Sequence, residues 1–219
     1  MTFLLSQGYS GLPQKVFGVW LQSFLFTGLF IVAHDCMHSL VVPHNLRLNR
    51  WVGKLCCFLY AGFSYEKLLV NHLKHHKNPA TSLDPDYTDA EHEGFVMWLS
   101  SFIRRYFGWK EFLVLHIHVG LVWYLGGEWW MVFVYFAIPS WVSSLQLFYF
   151  GTYLPHRGFQ DAKKNELPSR SNDFPVWLSL LTCYHFGYHR EHHLYPNLTW
   201  WQLPQERQKT KMALEGKDA

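Results

Sequence analysis

Apolar segments alternate with polar stretches along the chain, and the apolar segments have the length of helices. Runs with little or no charge cover about residues 12–33, 112–125 and 129–150. The first is long enough to cross the hydrocarbon core of a bilayer, which is about 30 Å thick. Gly126, Gly127 and Glu128 form a predicted tight turn between the other two runs, which therefore predict a helical hairpin. Pro139 predicts a kink that does not end the last helix.

A shorter apolar run at residues 51–63 raises a question of sidedness. Lys and Arg concentrate in the same polar stretches as the histidines, including the stretch at 71–93, so the positive-inside rule predicts that these stretches are cytoplasmic. A full crossing at 51–63 would separate His72 from His38. We therefore predict an interfacial or re-entrant helix at about 51–66.

Three crossings, at 12–33, 112–125 and 129–150, then leave the N-terminus outside. The pattern predicts a single all-α integral membrane domain over residues 1–219, with transmembrane helices and interfacial helices that carry histidine. A last apolar run covers residues 176–186, and the polar C-terminal end from residue 205 is expected to fray.

Composition supports this class. Hydrophobic residues make up 49% of the chain and charged residues 16%, below the roughly 25% of soluble domains. Mean hydropathy is only −0.06, because the scale counts the abundant Trp, Tyr and His as polar. The net charge of +3 does not indicate a nucleic-acid partner. The four cysteines form no CxxC pair and are expected to be small reduced apolar side chains.

Histidine clusters carry the candidate chemistry. Residues spaced i, i+3 and i+4 share one face of a helix, so each cluster can direct its imidazoles to one place. Several neutral imidazoles crowded together need partners, and metal ions supply them. Nine histidines exceed the needs of one ion and suit two with four or five ligands each. The predicted ligands are His34, His38, His72, His75, His76, His156, His189, His192 and His193.

Other metal chemistries lack their residues. The chain has no HExxH motif of zinc proteases, no carboxylate-bridged ExxH pair of soluble di-iron proteins, and no thiolate set for an iron–sulfur cluster. Imidazole itself suits iron, zinc, copper and nickel, so the residues alone leave the metal open.

Side chains near the clusters are candidates for orienting the ligands, because ligating histidines usually donate their second N–H to a carboxylate or carbonyl. We assign this role to His185, Asp35, Asp84 and Asp86, and His185 is also a candidate ligand. For Glu191 a solvated loop charge is the favoured interpretation. Four isolated histidines are expected to be structural, and they are His44, His92, His116 and His118.

The motifs resemble a known family. The order HxxxH, HxxHH, HxxHH resembles the membrane fatty-acid desaturase/hydroxylase superfamily. Closer likenesses to bacterial and cyanobacterial β-carotene ketolases are HDCMH at 34–38, DPD at 84–86, LPHR at 154–157 and LTCYHFGYHREHH at 181–193. The likeness extends from about residue 21 to residue 204. Two departures are the short stretch ahead of residue 16, where the family usually has another transmembrane segment, and Ser39, where it usually has glycine.

The resemblance implies a desaturase-like fold, two non-haem iron ions held by the nine histidines, and O2 as co-substrate. It implies oxidation of carbon 4 of the β-ionone ring to a ketone by two hydroxylations and loss of water. β-Carotene would give echinenone or canthaxanthin, and zeaxanthin would give astaxanthin. A ferredoxin-type donor would supply electrons, and the carotenoid would arrive from a bacterial inner or cyanobacterial membrane, with the metal site facing the cytoplasm.

Two kinds of alternative stay open at this point. A carotenoid hydroxylase or a fatty-acid desaturase would use the same metal site. A membrane metal-binding protein without turnover would also explain the histidines.

Overall fold

The computed structural model describes residues 11–88, 94–126, 129–159 and 167–215. These residues form helices and contain no strand, so the predicted all-α class is confirmed. The helices are Leu12–Met37 (α1), Leu46–Ala61 (α2), Tyr65–Lys77 (α3), Phe95–Tyr106 (α4), Trp109–Tyr124 (α5), Trp130–His156 (α6), Val176–Cys183 (α7), His189–Leu194 (α8) and Leu203–Glu215 (α9), with a 3₁₀ turn at Trp200–Gln202.

Two of these helices are long and apolar enough to cross a membrane. α1 has 26 residues and α6 has 27. Both coincide with predicted crossings, at 12–33 and 129–150. α5, which covers the predicted crossing at 112–125, has 16 residues and is about 24 Å long. It falls short of the usual spanning length of about 17–25 residues.

α2 and α3 form a hairpin where the sequence predicted one helix at about 51–66. The side chain of Asn45 caps the start of α2 by accepting from Leu48 N at 3.0 Å. Gly62 ends α2 with a φ of +73°, and a Cβ there would lie 2.4 Å from Val114 Cγ1. Glycine is needed at this turn for both reasons.

The α2–α3 hairpin reaches only part of the way along α1. Tyr60, near the end of α2, has its ring 6.1 Å from Phe26 and 5.7 Å from Phe30. α3 then returns toward the Met37 end of α1. The stretch at 71–93, described above as polar, is thus helical as far as Lys77.

α4 was not predicted and α9 was predicted as frayed. α4 is amphipathic: Trp98 and Tyr106 are buried, while Arg104 donates to Ser100 and Ser101 on the outer side. Two serines divide its apolar residues into short runs, at 95–99 and 102–103. The expectation for α9 was wrong, because Leu203 is buried at its start and a salt bridge described below anchors it.

α6 continues through two π-helical segments, Phe133–Ala137 and Tyr149–Tyr153. Pro139 follows the first segment and does not end the helix, as predicted. A polar seam joins α6 to its neighbours. The Thr27 hydroxyl lies 2.8 Å from the Ser143 hydroxyl, and the Tyr60 hydroxyl lies 2.8 Å from that of Ser144.

Candidate metal centre

Four elements bring their histidines to one end of the helical bundle. α1 ends in the turn that carries His34 and His38, and α6 ends at His156. The last two turns of α3 present its three histidines on one face, and the short helix α8 presents the final three. Helical spacing therefore directs each cluster inward, as the sequence predicted.

The nine predicted ligands divide into two groups. In each group the candidate ligand atoms lie within 4.8 Å of one another. The first group has five members and the second has four. They are His34, His38, His72, His76 and His192 in the first group, and His75, His156, His189 and His193 in the second.

Ring nitrogens face each other within both groups. In the first group the Nε2 atoms of His38 and His72 are 2.7 Å apart, and those of His76 and His192 are 2.9 Å apart. In the second group His193 Nε2 lies 3.0 Å from His75 Nε2 and 3.1 Å from His189 Nε2. The groups are adjacent, since the rings of His76 and His193 are 4.4 Å apart.

These distances fit metal ligation. Two nitrogens that each lie about 2.1 Å from one ion, at right angles around it, are about 3 Å apart. His34 Nε2 and His156 Nε2 are buried and have no hydrogen-bond partner among the described residues. Because buried polar atoms ordinarily have partners, both nitrogens are available to an ion. The donor set is all imidazole, which suits iron and other transition metals.

Burial keeps the imidazoles neutral, which is the form that binds metal. Burial and neighbouring histidines lower the pKa of His76 to about 2 and that of His38 to about 3. The same causes lower the pKa of His72 and His192 well below the usual value. His75 differs: burial acts to lower its pKa, but the hydrogen bond to Asp84 and the charges of Asp84 and Asp86 together raise it.

Two ligand candidates are oriented through their second nitrogen. Asp84 accepts from His75 Nδ1 at 2.8 Å, and it also accepts from the backbone N–H groups of Ala80 and Asp86. The Pro168 carbonyl accepts from His156 Nδ1 at 2.9 Å. Asp84 was predicted in this role. Pro168 could not be, since a backbone carbonyl leaves no mark in the sequence.

The other proposed orienting groups differ from Asp84. Asp35 lies 3.4 Å from His34 Nδ1 and accepts from Trp200 N at 3.2 Å. Asp86 accepts from the Tyr106 hydroxyl and, among the described residues, has no hydrogen bond to a histidine. His185 is buried outside both groups, and its ring packs 6.1 Å from that of Trp200.

The isolated histidines lie outside both groups where they are described. His116 and His118 each bond through Nδ1 to the carbonyl four residues earlier, at 2.8 Å. His44 is exposed, and His92 lies outside the described residues.

Glu191 is a functional candidate that sequence reasoning undervalued. It was interpreted as a solvated loop charge, yet it is fully buried in α8 between two ligand candidates. Its carboxylate accepts from the Ser171 hydroxyl and from Arg207 at 3.2 Å. Arg207 belongs to α9, so this buried ion pair joins the last histidine cluster to the C-terminal helix. The sequence signal was a charge inside an HxxHH motif.

A largely apolar cavity of about 60 Å³ adjoins both groups. His34 and His72 of the first group and His75 and His189 of the second reach its wall. Phe186 also lines it, with its ring 4.7 Å from that of His34 and 5.0 Å from that of His189. A small apolar molecule in this cavity would therefore touch both groups.

Comparison with known proteins places this architecture. The sequence model of the fatty acid desaturase family matches residues 12–119 and 96–218. The chain belongs to the fatty acid desaturase family. All nine clustered histidines fall inside the matched residues.

Individual relatives narrow its position in the desaturase family. A beta-carotene ketolase of Paracoccus sp. (strain N81106 / MBIC 01143) is 47% identical over 190 residues, which are 85% of this chain and 76% of that protein. One from Paracoccus sp. (strain PC1) is 45% identical over 186 residues, or 84% and 76%. A zeaxanthin 4-ketolase of Chlamydomonas reinhardtii is 36% identical over 192 residues, or 84% and 42%. The predicted family resemblance is confirmed.

Proposed function

We propose that this chain is a carotenoid 4-ketolase that oxidises carbon 4 of the β-ionone ring in two O2-dependent steps. The observation that carries the proposal is the convergence of nine imidazoles, in groups of five and four, beside an apolar cavity. The ketolase relatives favour a carotenoid as the molecule that enters it. We further propose two iron ions as cofactors and a one-electron protein carrier of the ferredoxin type as the reductant.

The two groups suit a pair of ions. His34, His38, His72, His76 and His192 would hold one iron, and His75, His156, His189 and His193 would hold the other. When bound, the pair would supply the O2 activation that an allylic C–H bond requires. The hydrogen bonds to Asp84 and Pro168 would keep His75 and His156 in the tautomer that leaves Nε2 free for the metal.

The cavity would place the ring and exclude water. Its aromatic and aliphatic lining, including Phe30, Phe102 and Phe186, offers an apolar seat against the histidines. At one side of that seat, the Tyr106 hydroxyl donates a hydrogen bond to Asp86. Ring placement beside both groups would bring one carbon to the oxidant repeatedly, as a two-step oxidation requires.

We propose a membrane location with the metal centre on the cytoplasmic face. α5 exposes most of its apolar side chains, among them Leu113, Ile117 and Leu121, as expected of a lipid-facing helix. Both α1 and α6 end at the metal centre, so their starts lie at the opposite side. The chain must cross between α3, which also ends at the centre, and the start of α6. α5 is the helix placed to make this crossing, in a locally thinned bilayer.

Pigment analysis tests the proposal. The chain is expressed in a β-carotene-accumulating bacterium, and 4-ketocarotenoids are expected, with absorption shifted to longer wavelength. His76→Ala and His192→Ala remove one ligand candidate each and are expected to abolish the ketone. His116→Ala is the matched control, because His116 lies outside both groups and bonds only its own helix. It is expected to keep ketone output.

Other outcomes would identify the alternatives. A hydroxylated carotenoid with nearly unchanged absorption would indicate a hydroxylase, and a new double bond in lipid acyl chains would indicate a desaturase. Purified chain that carries loosely bound zinc, with no iron and no oxidised product, would indicate a metal-binding protein. Full ketone output from His76→Ala or His192→Ala would overturn the ligand assignment.

A further inference from the structure

Nearly all polar side chains on the cavity wall either hydrogen-bond to one another or belong to the two candidate metal groups. The four imidazoles belong to the two metal groups. The Tyr106 hydroxyl donates a hydrogen bond to one carboxylate oxygen of Asp86, so both of these groups have a partner. The remaining polar side chain that lines the cavity is that of Thr152.

The Thr152 hydroxyl has no hydrogen-bond partner among the described residues. Several other Ser and Thr side chains in these helices donate to the carbonyl four residues earlier. Examples are Thr27 to Ser23, Ser140 to Phe136 and Thr182 to Leu178, at 3.0, 2.7 and 2.9 Å. Thr152 lies in the π-helical segment Tyr149–Tyr153, where the backbone bonds reach five residues back.

Thr152 therefore presents a usable hydroxyl to an otherwise apolar seat. Thr152 is only 9% exposed, so bulk water has little access to form a hydrogen bond with its hydroxyl. Its neighbour Gly151 lets the Phe186 ring approach the same helix, since a Cβ at Gly151 would lie 2.5 Å from Phe186 Cε1. Thr152 therefore lines the same cavity as Phe186, the aromatic ring that contacts both metal groups.

A two-step oxidation creates a hydroxyl in this cavity. The first step inserts one oxygen atom of O2 into the C4–H bond, and the other atom leaves as water with two electrons from the reductant and two protons from solvent. The alcohol must then stay for a second insertion that uses the same co-reactants. The resulting geminal diol loses water to give the ketone. Burying the alcohol without a hydrogen-bond partner would cost free energy. The alcohol would therefore leave the cavity more readily.

We propose that Thr152 holds the hydroxyl of the half-oxidised ring and so couples the first oxidation to the second. The inference rests on the proposed function and makes Thr152 a positioning residue. The bare ring of the starting carotenoid has no hydroxyl to bind, so the first oxidation is independent of Thr152.

The test measures the ratio of 4-hydroxy to 4-keto carotenoid in β-carotene-accumulating cells. Thr152→Val keeps the shape and removes the hydroxyl, and it is expected to raise this ratio about fivefold to tenfold, the worth of one neutral hydrogen bond. Thr152→Ser keeps the hydroxyl and is expected to restore a ratio near that of the wild type. Thr182→Val removes a threonine hydroxyl outside the cavity and is expected to leave the ratio unchanged.

The ratio is compared between strains that accumulate equal amounts of the chain, because less enzyme also leaves more half-oxidised carotenoid. Thr152→Ala gives the same readout if Thr152→Val does not reach the membrane. Supplied 4-hydroxy carotenoid should also be oxidised more slowly by either variant than by the wild type. A Thr152→Val ratio within about twofold of wild type, or a Thr152→Ser ratio equal to that of Thr152→Val, would overturn the inference. A wild-type chain that forms no 4-oxidised carotenoid would instead overturn the proposed function.

Discussion

Asp84 and Asp86 lie two residues apart in one loop and have different partners. Asp84 accepts from His75 Nδ1, whereas Asp86 accepts from Tyr106 and faces the cavity. The sequence assigned both to the same orienting role, because their DPD spacing does not say which carboxylate turns toward the histidines. The tight turn at residues 78–87, built on Asp84 itself, decides this.

Asp84→Asn is expected to weaken iron binding by about tenfold to a hundredfold, because the amide is a poorer acceptor for the imidazole N–H. Iron content per chain, measured by elemental analysis during titration with a chelator, checks this. Asp86→Asn is the matched control and should retain iron, since its partner is Tyr106. Equal iron loss from both variants would contradict the separate roles.

Ser39 lies at the position where the resemblance implies glycine. It follows His38 at the end of α1 with a φ of +63°, in the left-handed region that favours glycine. The glycine that the resemblance implies at this position would adopt this conformation without strain. Ser39 is exposed, and its side chain makes no hydrogen bond within the described residues.

Ser39→Gly is expected to raise the free energy of unfolding by about 0.5–1 kcal/mol by relieving this strain. The thermal unfolding midpoint in detergent measures the effect. Ser39→Ala keeps the strained conformation and should not raise the midpoint. A midpoint for Ser39→Gly at or below that of the wild type would contradict this explanation.

Helices were predictable from the sequence where an apolar run was long or where residues recurred at helical spacing. The long apolar runs became α1 and α6, and the histidine spacing placed three clusters on helices. α4 was missed because two serines divide its apolar residues into short runs. α9 was misread because its anchor, the Glu191–Arg207 pair, joins residues 16 apart that only the folded chain brings together.

α6 packs closely against Phe186, in the segment before α8, because Gly151 has no side chain. Gly151→Ala would place a Cβ 2.5 Å from Phe186 Cε1 and force that ring toward His34 or His189. Such overpacking is expected to destabilise the fold by about 1–3 kcal/mol and to reduce iron content. Thermal unfolding and elemental analysis measure both effects.

Gly120→Ala is the matched control for this substitution. Gly120 lies inside α5, and a Cβ there meets nothing within 4 Å. The change should stabilise the chain by about 0.5–1 kcal/mol, because alanine favours the helix more than glycine does. A Gly151→Ala variant as stable as Gly120→Ala would show that Phe186 moves without cost.

For the whole molecule, the sequence predicted that distant histidines meet on one side of the membrane. The structure brings them together in two groups, and their side of the membrane stays a prediction. The division into five and four was not predictable. His75 and His76 are adjacent in sequence yet belong to different groups, because successive residues of a helix point about 100° apart. Similarly, charge distribution predicted sidedness but not the length of α5.

Cysteine labelling tests the proposed crossings. Tyr124 at the end of α5 is 84% exposed, and the Lys209 side chain in α9 is 62% exposed. In intact spheroplasts, a membrane-impermeant maleimide is expected to label Tyr124→Cys but to label Lys209→Cys only after lysis. The four native cysteines are free and buried, which limits background labelling. Labelling of both positions from the same side would contradict three crossings.

The final histidine cluster contributes to both groups: His192 to the first, and His189 and His193 to the second. Neither group is complete, therefore, until translation has passed residue 193 and that segment has emerged from the ribosome. In the proposed enzyme, neither ion can be fully ligated before that point. A messenger truncated before this point would yield a chain whose earlier helices can still insert, but in which both ligand sets stay open.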